Sequence, residues 1–110
     1  MNEEDFLIPE NMDKGRTTFT TFHPAYLYYI AADNSIDKLL QYINDGVYIN
    51  QPSSYGKNFS MYCAIFNRIE MIKILIEHKI DIKNYNLLEL ACKKGHYEMI
   101  KLLVDNGIYK

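Results

Sequence analysis

The sequence contains no apolar run that approaches the roughly 18 consecutive residues needed to span a membrane. Residues 1–10, MNEEDFLIPE, are acidic where a secretory signal is basic, and they hold no long apolar segment. Basic residues are not in excess, since 12 Lys and Arg stand against 14 Asp and Glu. Nucleic-acid-binding domains usually carry a basic face. These absences lead us to expect a cytoplasmic or nuclear protein whose partner is neither a membrane nor a nucleic acid.

The sequence also has few residues suited to catalysis or metal binding. Its two cysteines, Cys63 and Cys92, are too few for a disulfide framework, and we expect both to be reduced and buried at core positions. The histidines, His23, His78 and His96, lack the spacing of metal ligands. No phosphate-binding glycine-rich loop and no nucleophile elbow occurs. The sequence therefore predicts no catalytic residue, no metal site and no cofactor.

One pattern of residue types occurs three times in the chain, in residues 27–50, 60–83 and 88–110. The segments align on an acidic residue, which is Asp37, Glu70 or Glu98. Apolar or aromatic side chains follow two, five and six residues after each acid. Offsets of three and four residues place such side chains on one stripe of a helix. Each acid therefore opens the second helix of a repeated unit.

A shorter first helix precedes each of these second helices. It is marked by pairs of small residues at Ala31–Ala32, Cys63–Ala64 and Ala91–Cys92. The turn that follows contains a residue type that tolerates positive φ, namely Asn34, Asn67 or Gly95. The second helices end near Gly46, Lys79 and Gly107, and glycine is a common helix stop. Because no such helix pair buries its apolar face alone, we expect the units to stack.

This pattern resembles the ankyrin repeat. The resemblance rests on the segments IAADNSIDKLLQYINDGVYIN (30–50), CAIFNRIEMIKILIEHKIDI (63–82) and ACKKGHYEMIKLLVDNG (91–107). It implies an all-α, ankyrin-type helix–turn–helix solenoid of about three repeats, with a non-repeat N-terminal segment. We expect a repeat domain over 23–110, with repeats at approximately 23–52, 53–83 and 84–110. Residues 1–22 are either an unstructured leader or an arm that caps the first helix pair.

The chain also departs from the family pattern. The Thr-Pro-Leu-His entry to the first helix is absent, and its His position holds Tyr28, Met61 or Glu89. Only one full-length connection between repeats remains, in residues 49–58, and we call it the finger. Residues 83–86 are too few for a second one, so we expect a tight turn there.

The last helix raises the question of what covers its outer side. Helical geometry predicts that Ile100, Leu103 and Val104 face inward and that Met99 and Leu102 are left exposed. Three interpretations remain open: the array continues in a longer protein, the surface contacts a partner or a second copy, or two exposed apolar side chains are tolerated. Self-association through this helix is therefore one expectation.

The resemblance implies a non-enzymatic protein–protein interaction module that binds through a concave surface of first helices and fingers. The matching positions in this chain are Tyr26, Tyr29, Tyr48, Gln51, Tyr55, Lys57, Tyr62, Ile65, Phe66, Lys93 and Lys94. Ten tyrosines fit an interface, since Tyr combines a large ring with a hydroxyl. A codon bias toward Tyr explains the same count.

The resemblance leaves the protein partner unidentified. The bias toward Ile, Tyr, Asn and Lys resembles the ankyrin proteins of large DNA viruses, protists and intracellular bacteria. A viral or pathogen factor that engages a host protein is therefore one expectation. The alternative is a repeat domain that acts as scaffold or regulator within a larger protein.

Overall fold

The computed structural model describes residues 25–53 and 56–109. Across these ranges the chain forms six α-helices and no strand. The helices are α1 (Ala25–Asp33), α2 (Ile36–Asn44), α3 (Phe59–Phe66), α4 (Ile69–Glu77), α5 (Leu87–Lys94) and α6 (Tyr97–Asp105). They form three helix–turn–helix pairs, which confirms the predicted all-α solenoid. The predicted N-terminal arm lies outside the described residues, and the repeat boundaries stay predictions.

The turn inside each pair has the left-handed residue that the sequence predicted. Asn34, Asn67 and Gly95 have φ values of 57°, 62° and 71°. The next residue then donates its backbone N–H to a carbonyl of the preceding helix; for example, Arg68 N lies 2.8 Å from Cys63 O. This bond satisfies a carbonyl that the helix end leaves without an intrahelical partner. The turn chemistry therefore fixes the geometry of each pair.

The first helices form the inner side of the stack. Helices α1, α3 and α5 pack side by side more extensively than α2, α4 and α6 do, so the stack curves toward them. We call their solvent-facing surface the inner face. The described part of the molecule measures 38 × 27 × 20 Å. Its largest fully buried apolar side chains are Ile30, Leu39, Phe59, Met71, Ile72, Leu75, Leu87, Met99 and Leu103.

The prediction for the outer side of α6 was wrong in two respects. Met99 is fully buried, whereas Val104 is 46% exposed. Met99 directly follows the repeat acid, as the buried Met71 does, and this position lies on the side of the preceding repeat, where α4 packs against α6. Ile100 and Leu102 are half-buried. The partly exposed aliphatic side chains of α6 are therefore Ile100, Leu102 and Val104, and Tyr97 at the start of the helix is 80% exposed.

Polar side chains at the intra-pair turns connect neighbouring repeats. Arg68 donates from Nε to Ala31 O at 2.7 Å and from Nη2 to Ala32 O at 2.6 Å. His96 occupies the same repeat position as Arg68, and its Nε2 lies 3.0 Å from Ile65 O. At both junctions, the turn of one repeat therefore binds a carbonyl at the end of the previous first helix.

The finger also connects the first two repeats. Asn50 Nδ2 donates to Asp81 O at 2.7 Å. At the other end of the finger, Asn58 caps α3 by accepting a hydrogen bond from Met61 N at 3.0 Å. Residues 83–86 form the predicted tight turn, in which Lys83 N donates to Asp81 Oδ1 at 3.1 Å.

Candidate protein-binding surface

Four aromatic rings meet on the inner face, two from α1 and two from α3. We call Tyr28, Tyr29, Tyr62 and Phe66 the aromatic patch. The ring centroid of Tyr28 lies 5.4 Å from that of Tyr29, 5.0 Å from that of Tyr62 and 5.8 Å from that of Phe66, each time in an edge-to-face arrangement. Tyr62 and Phe66 stack nearly parallel at 6.4 Å. These distances are those of favourable ring pairs.

The patch has a buried base and an exposed surface. Tyr62 is only 8% exposed, and its hydroxyl lies 3.1 Å from Ser53 Oγ, which connects the patch to the finger. Tyr28 is 38% exposed, and Tyr29 and Phe66 are half-buried. The Arg68 guanidinium lies 5.9 Å from the centroid of Phe66, within cation–π range. Tyr28, Tyr29 and Phe66 thus present aromatic surface that neighbouring side chains hold in place.

Charge changes sign along the inner face. Asp33, Phe66 and Lys94 occupy the same position in successive repeats, four residues before the repeat acid. Asp33 and Lys94 are both exposed. Lys93 is also exposed, and its Nζ lies 3.7 Å from Glu89 Oε2. The aromatic patch is therefore flanked by an acidic residue on the first repeat and by basic residues on the third.

The structure brings together some of the residues that the sequence predicted for binding. Tyr29 and Phe66 lie in the patch, with the half-buried Ile65 on the same helix as Phe66. Tyr48 is 64% exposed, and Gln51 and Lys57 in the finger are half-buried. Gln51 Nε2 donates to Tyr48 O at 2.8 Å. Tyr55 lies outside the described residues.

Two predicted contact residues need correction. Tyr26 is only 6% exposed because it occupies the repeat position of Phe59 and Leu87, which are fully buried. Tyr62 is buried because α3 lies between α1 and α5, so helices pack on both of its sides. Tyr26 therefore belongs to the core, and Tyr62 forms the base of the patch rather than its surface.

Tyr28 was missed as a surface residue. It occupies the family's His position, which is Met61 in the second repeat and Glu89 in the third. A carboxylate seldom lies in a core without a partner, so Glu89 already indicated that this position reaches solvent. The alignment of the three repeats on their acids contains that signal.

The Cys63 thiol offers little nucleophilic chemistry. Burial raises the pKa of the Cys63 thiol well above its usual value, and the charge of Arg68 lowers it by a smaller amount. The thiolate form is therefore disfavoured. The expectation that Cys92 is buried was wrong: its side chain is exposed on α5. Cys92 occupies the repeat position of Ala64, but no further repeat packs against the third one in this structure.

Residues 25–53 and 56–109 contain no group of three or more His, Cys, Asp or Glu side chains that could hold a metal ion. Among the helices of this part of the chain, none is both long and apolar enough to cross a membrane.

Comparison with known proteins gives one match. A family model described as ankyrin repeats matches residues 27–110 in three copies. Searches of curated proteins and of solved structures find no significant match. The matched residues contain the six helices from Leu27 onward, both junctions between repeats and the aromatic patch. The chain belongs to the ankyrin repeat family.

Proposed function

We propose that this chain is a non-enzymatic module that binds a protein partner through the inner face, with the aromatic patch as its anchor. Ankyrin repeats are in general protein–protein interaction modules. The observation that carries the proposal is the set of partly exposed rings on two adjoining first helices. Residues in the core of an interface are enriched in aromatic side chains, and a few such side chains usually dominate the binding energy.

The charges beside the patch specify what kind of partner fits. An apolar or aromatic side chain of the partner packs on Tyr28, Tyr29 and Phe66. A basic group fits beside Asp33, and an acidic group fits beside Lys94. Electrostatic complementarity of this kind sets orientation and association rate more than affinity. The expected contact is therefore an apolar anchor with opposite charges on its two sides.

An affinity-capture experiment tests the proposal. The full chain is immobilised and compared with Tyr28→Ser and with a matched control, Leu40→Ser on α2. Leu40 is 40% exposed, close to the 38% of Tyr28, but it lies on a second helix and outside the inner face. Proteins bound by the wild-type chain are identified, and the dissociation constant of the tightest one is then measured with purified components. We expect Tyr28→Ser to weaken that complex at least tenfold, which is about 1.4 kcal/mol, and Leu40→Ser to leave it unchanged.

Thermal unfolding of each variant accompanies the measurement. Equal loss of binding in both variants, or loss only in Leu40→Ser, would assign the interface to another surface. Failure of the wild-type chain to bind any protein in the lysates tested would count against the module itself. Sedimentation of the same samples measures self-association, a second candidate that the exposed surface of Ile100, Leu102 and Val104 favours.

The proposal includes a cellular setting. Two free cysteines, one of them exposed, suit a reducing compartment, which supports a cytoplasmic or nuclear location. The bias toward Ile, Tyr, Asn and Lys supports the more specific role of a viral or pathogen factor whose partner is a host protein. The alternative role, as a scaffold within a larger polypeptide, uses the same inner face.

A further inference from the structure

A shallow depression lies beside the start of the finger, where the first repeat meets the second. Its volume is about 310 Å³. The residues that line it are Val47, Tyr48, Ile49, Asn50, Ile80, Asp81 and Tyr85. This volume is at the lower end of the range for small-molecule sites, which begins at roughly 300 Å³. The depression therefore suits one long side chain rather than a large ligand.

The lining has acceptors and aromatic rings but no cation. Asp81 is the only charged residue in it, and Tyr48 and Tyr85 contribute two rings. Asn50 is 6% exposed; its Nδ2 donates to Asp81 O, whereas its Oδ1 has no hydrogen-bond partner within the described part of the chain. A buried acceptor without a donor is unfavourable. The depression thus has an excess of negative charge and of hydrogen-bond acceptors.

We propose that this depression binds the side chain of an arginine presented by the protein partner. The inference rests on the proposed function, because only a binding partner brings such a side chain to the finger. A guanidinium supplies five N–H donors in one plane and is attracted to aromatic rings. Its methylene stem packs on apolar side chains, here Val47 and Ile80. The positive charge pairs with the Asp81 carboxylate.

Asn50 Oδ1 is buried, so the arginine reaches it only after a small movement of the wall. Tyr48 is the more exposed of the two aromatic side chains in the wall, at 64%. A shift of this ring on binding would admit the guanidinium to the Asn50 amide and would keep the ring beside it. The Asn50 side chain is therefore the reporter that distinguishes entry into the depression from binding elsewhere on the surface.

The test uses the isolated full chain and no partner protein. N-acetyl-arginine methylamide is titrated while the ¹H–¹⁵N resonances of the protein are recorded. N-acetyl-citrulline methylamide, which has nearly the same shape but no charge, is the control ligand. We expect the arginine compound to saturate a shift of the Asn50 side-chain amide, with a dissociation constant at least about fivefold lower than that of the citrulline compound. Equal shifts with the two compounds, or no shift at Asn50, would overturn the proposal.

Two variants and a matched control locate the effect. Asp81→Asn keeps the shape of the side chain and its oxygen for Lys83 N, but removes the charge, and we expect about fivefold weaker arginine binding. Tyr48→Ala removes one ring and is expected to weaken binding similarly. Tyr109→Ala is the control, since Tyr109 occupies the same repeat position in the third repeat and is 62% exposed. An equal loss from Tyr109→Ala would refute the site. A failed titration would leave the aromatic patch, and hence the proposed function, still to be judged by affinity capture.

Discussion

At the scale of single residues, Lys79 is held in a backbone conformation that its side chain disfavours. The three equivalent positions after the second helices are Gly46, Lys79 and Gly107, with φ values of 81°, 59° and 75°. The left-handed region costs a residue with a Cβ roughly 1–2 kcal/mol. The greater freedom of glycine in the unfolded chain offsets about 0.4–1 kcal/mol of that. We therefore expect Lys79→Gly to raise the free energy of unfolding by about 0.5–1 kcal/mol in urea titrations.

The reverse change at the equivalent residue is the control. A Cβ built on Gly46 meets no atom within 4 Å, so Gly46→Ala tests backbone conformation without a steric clash. We expect Gly46→Ala to lower the unfolding free energy by about 1 kcal/mol. If Lys79→Gly destabilises the protein instead, then the side chain of Lys79 contributes contacts that outweigh its backbone conformation.

At the scale of secondary-structure elements, α3 begins at a buried cap. Asn58 is only 4% exposed, and its Oδ1 accepts hydrogen bonds from Met61 N at 3.0 Å and from Ser60 Oγ at 2.9 Å. Removal of this oxygen leaves the Met61 N–H and the buried Ser60 hydroxyl without their acceptor. We expect Asn58→Ala to lower the free energy of unfolding by about 2 kcal/mol, the upper end for a helix cap. Urea unfolding followed by circular dichroism measures this change.

Ser35 provides the matched control for the cap. It stands at the start of α2, but its side chain makes no capping hydrogen bond. We expect Ser35→Ala to change the unfolding free energy by less than about 0.5 kcal/mol. If Ser35→Ala lowers the free energy of unfolding as much as Asn58→Ala does, then residue type at these positions matters rather than the hydrogen bonds of Asn58.

The elements also show what the sequence predicts and what it does not. The helices, their turns and the absence of a second finger could be predicted from the spacing of residues along the chain. Each left-handed turn residue and each apolar helix stripe is encoded within one short segment. The cap at Asn58 was missed because the family's Thr is absent there. The burial of Met99 and the exposure of Val104 depend on which neighbouring repeat covers α6, and the period of a single helix does not contain that information. The same holds for Tyr26 and Tyr62, whose burial depends on the helices beside them.

The aromatic patch, too, was predictable from the sequence only in part. Tyr29 and Phe66 were predicted from their repeat positions, but Tyr28 joins them through a ring contact with Tyr29 inside α1 and with Phe66 on α3. The depression beside the finger combines Tyr48 and Asn50 with Asp81 and Tyr85, which come from later segments of the chain. Sites of this kind arise from the register between repeats, and the shortened third unit changes that register in a way that a one-dimensional pattern does not show.

At the scale of the whole molecule, stability depends on how strongly adjacent repeats are coupled. In a solenoid, the total free energy of folding is close to the sum of repeat terms and interface terms. Arg68 is the main polar connection of the first junction, because its guanidinium binds both Ala31 O and Ala32 O. Hydrogen bonds to charged groups contribute roughly 1.5–3 kcal/mol. We expect Arg68→Met to lower the free energy of unfolding by about 2 kcal/mol and to weaken the coupling of α1 to α3.

Hydrogen exchange distinguishes loss of coupling from general destabilisation. In Arg68→Met, amides of α1 and α2 should exchange faster relative to those of α5 and α6, because the second junction keeps its contact between His96 and Ile65. Arg68→Lys keeps the charge but lacks the two-pronged geometry, so it should recover only part of the lost stability. His96→Ala should shift the effect to the other end and speed exchange in α5 and α6. If all six helices lose protection equally in Arg68→Met, the molecule unfolds as one unit. The junctions then set total stability without defining separable repeats.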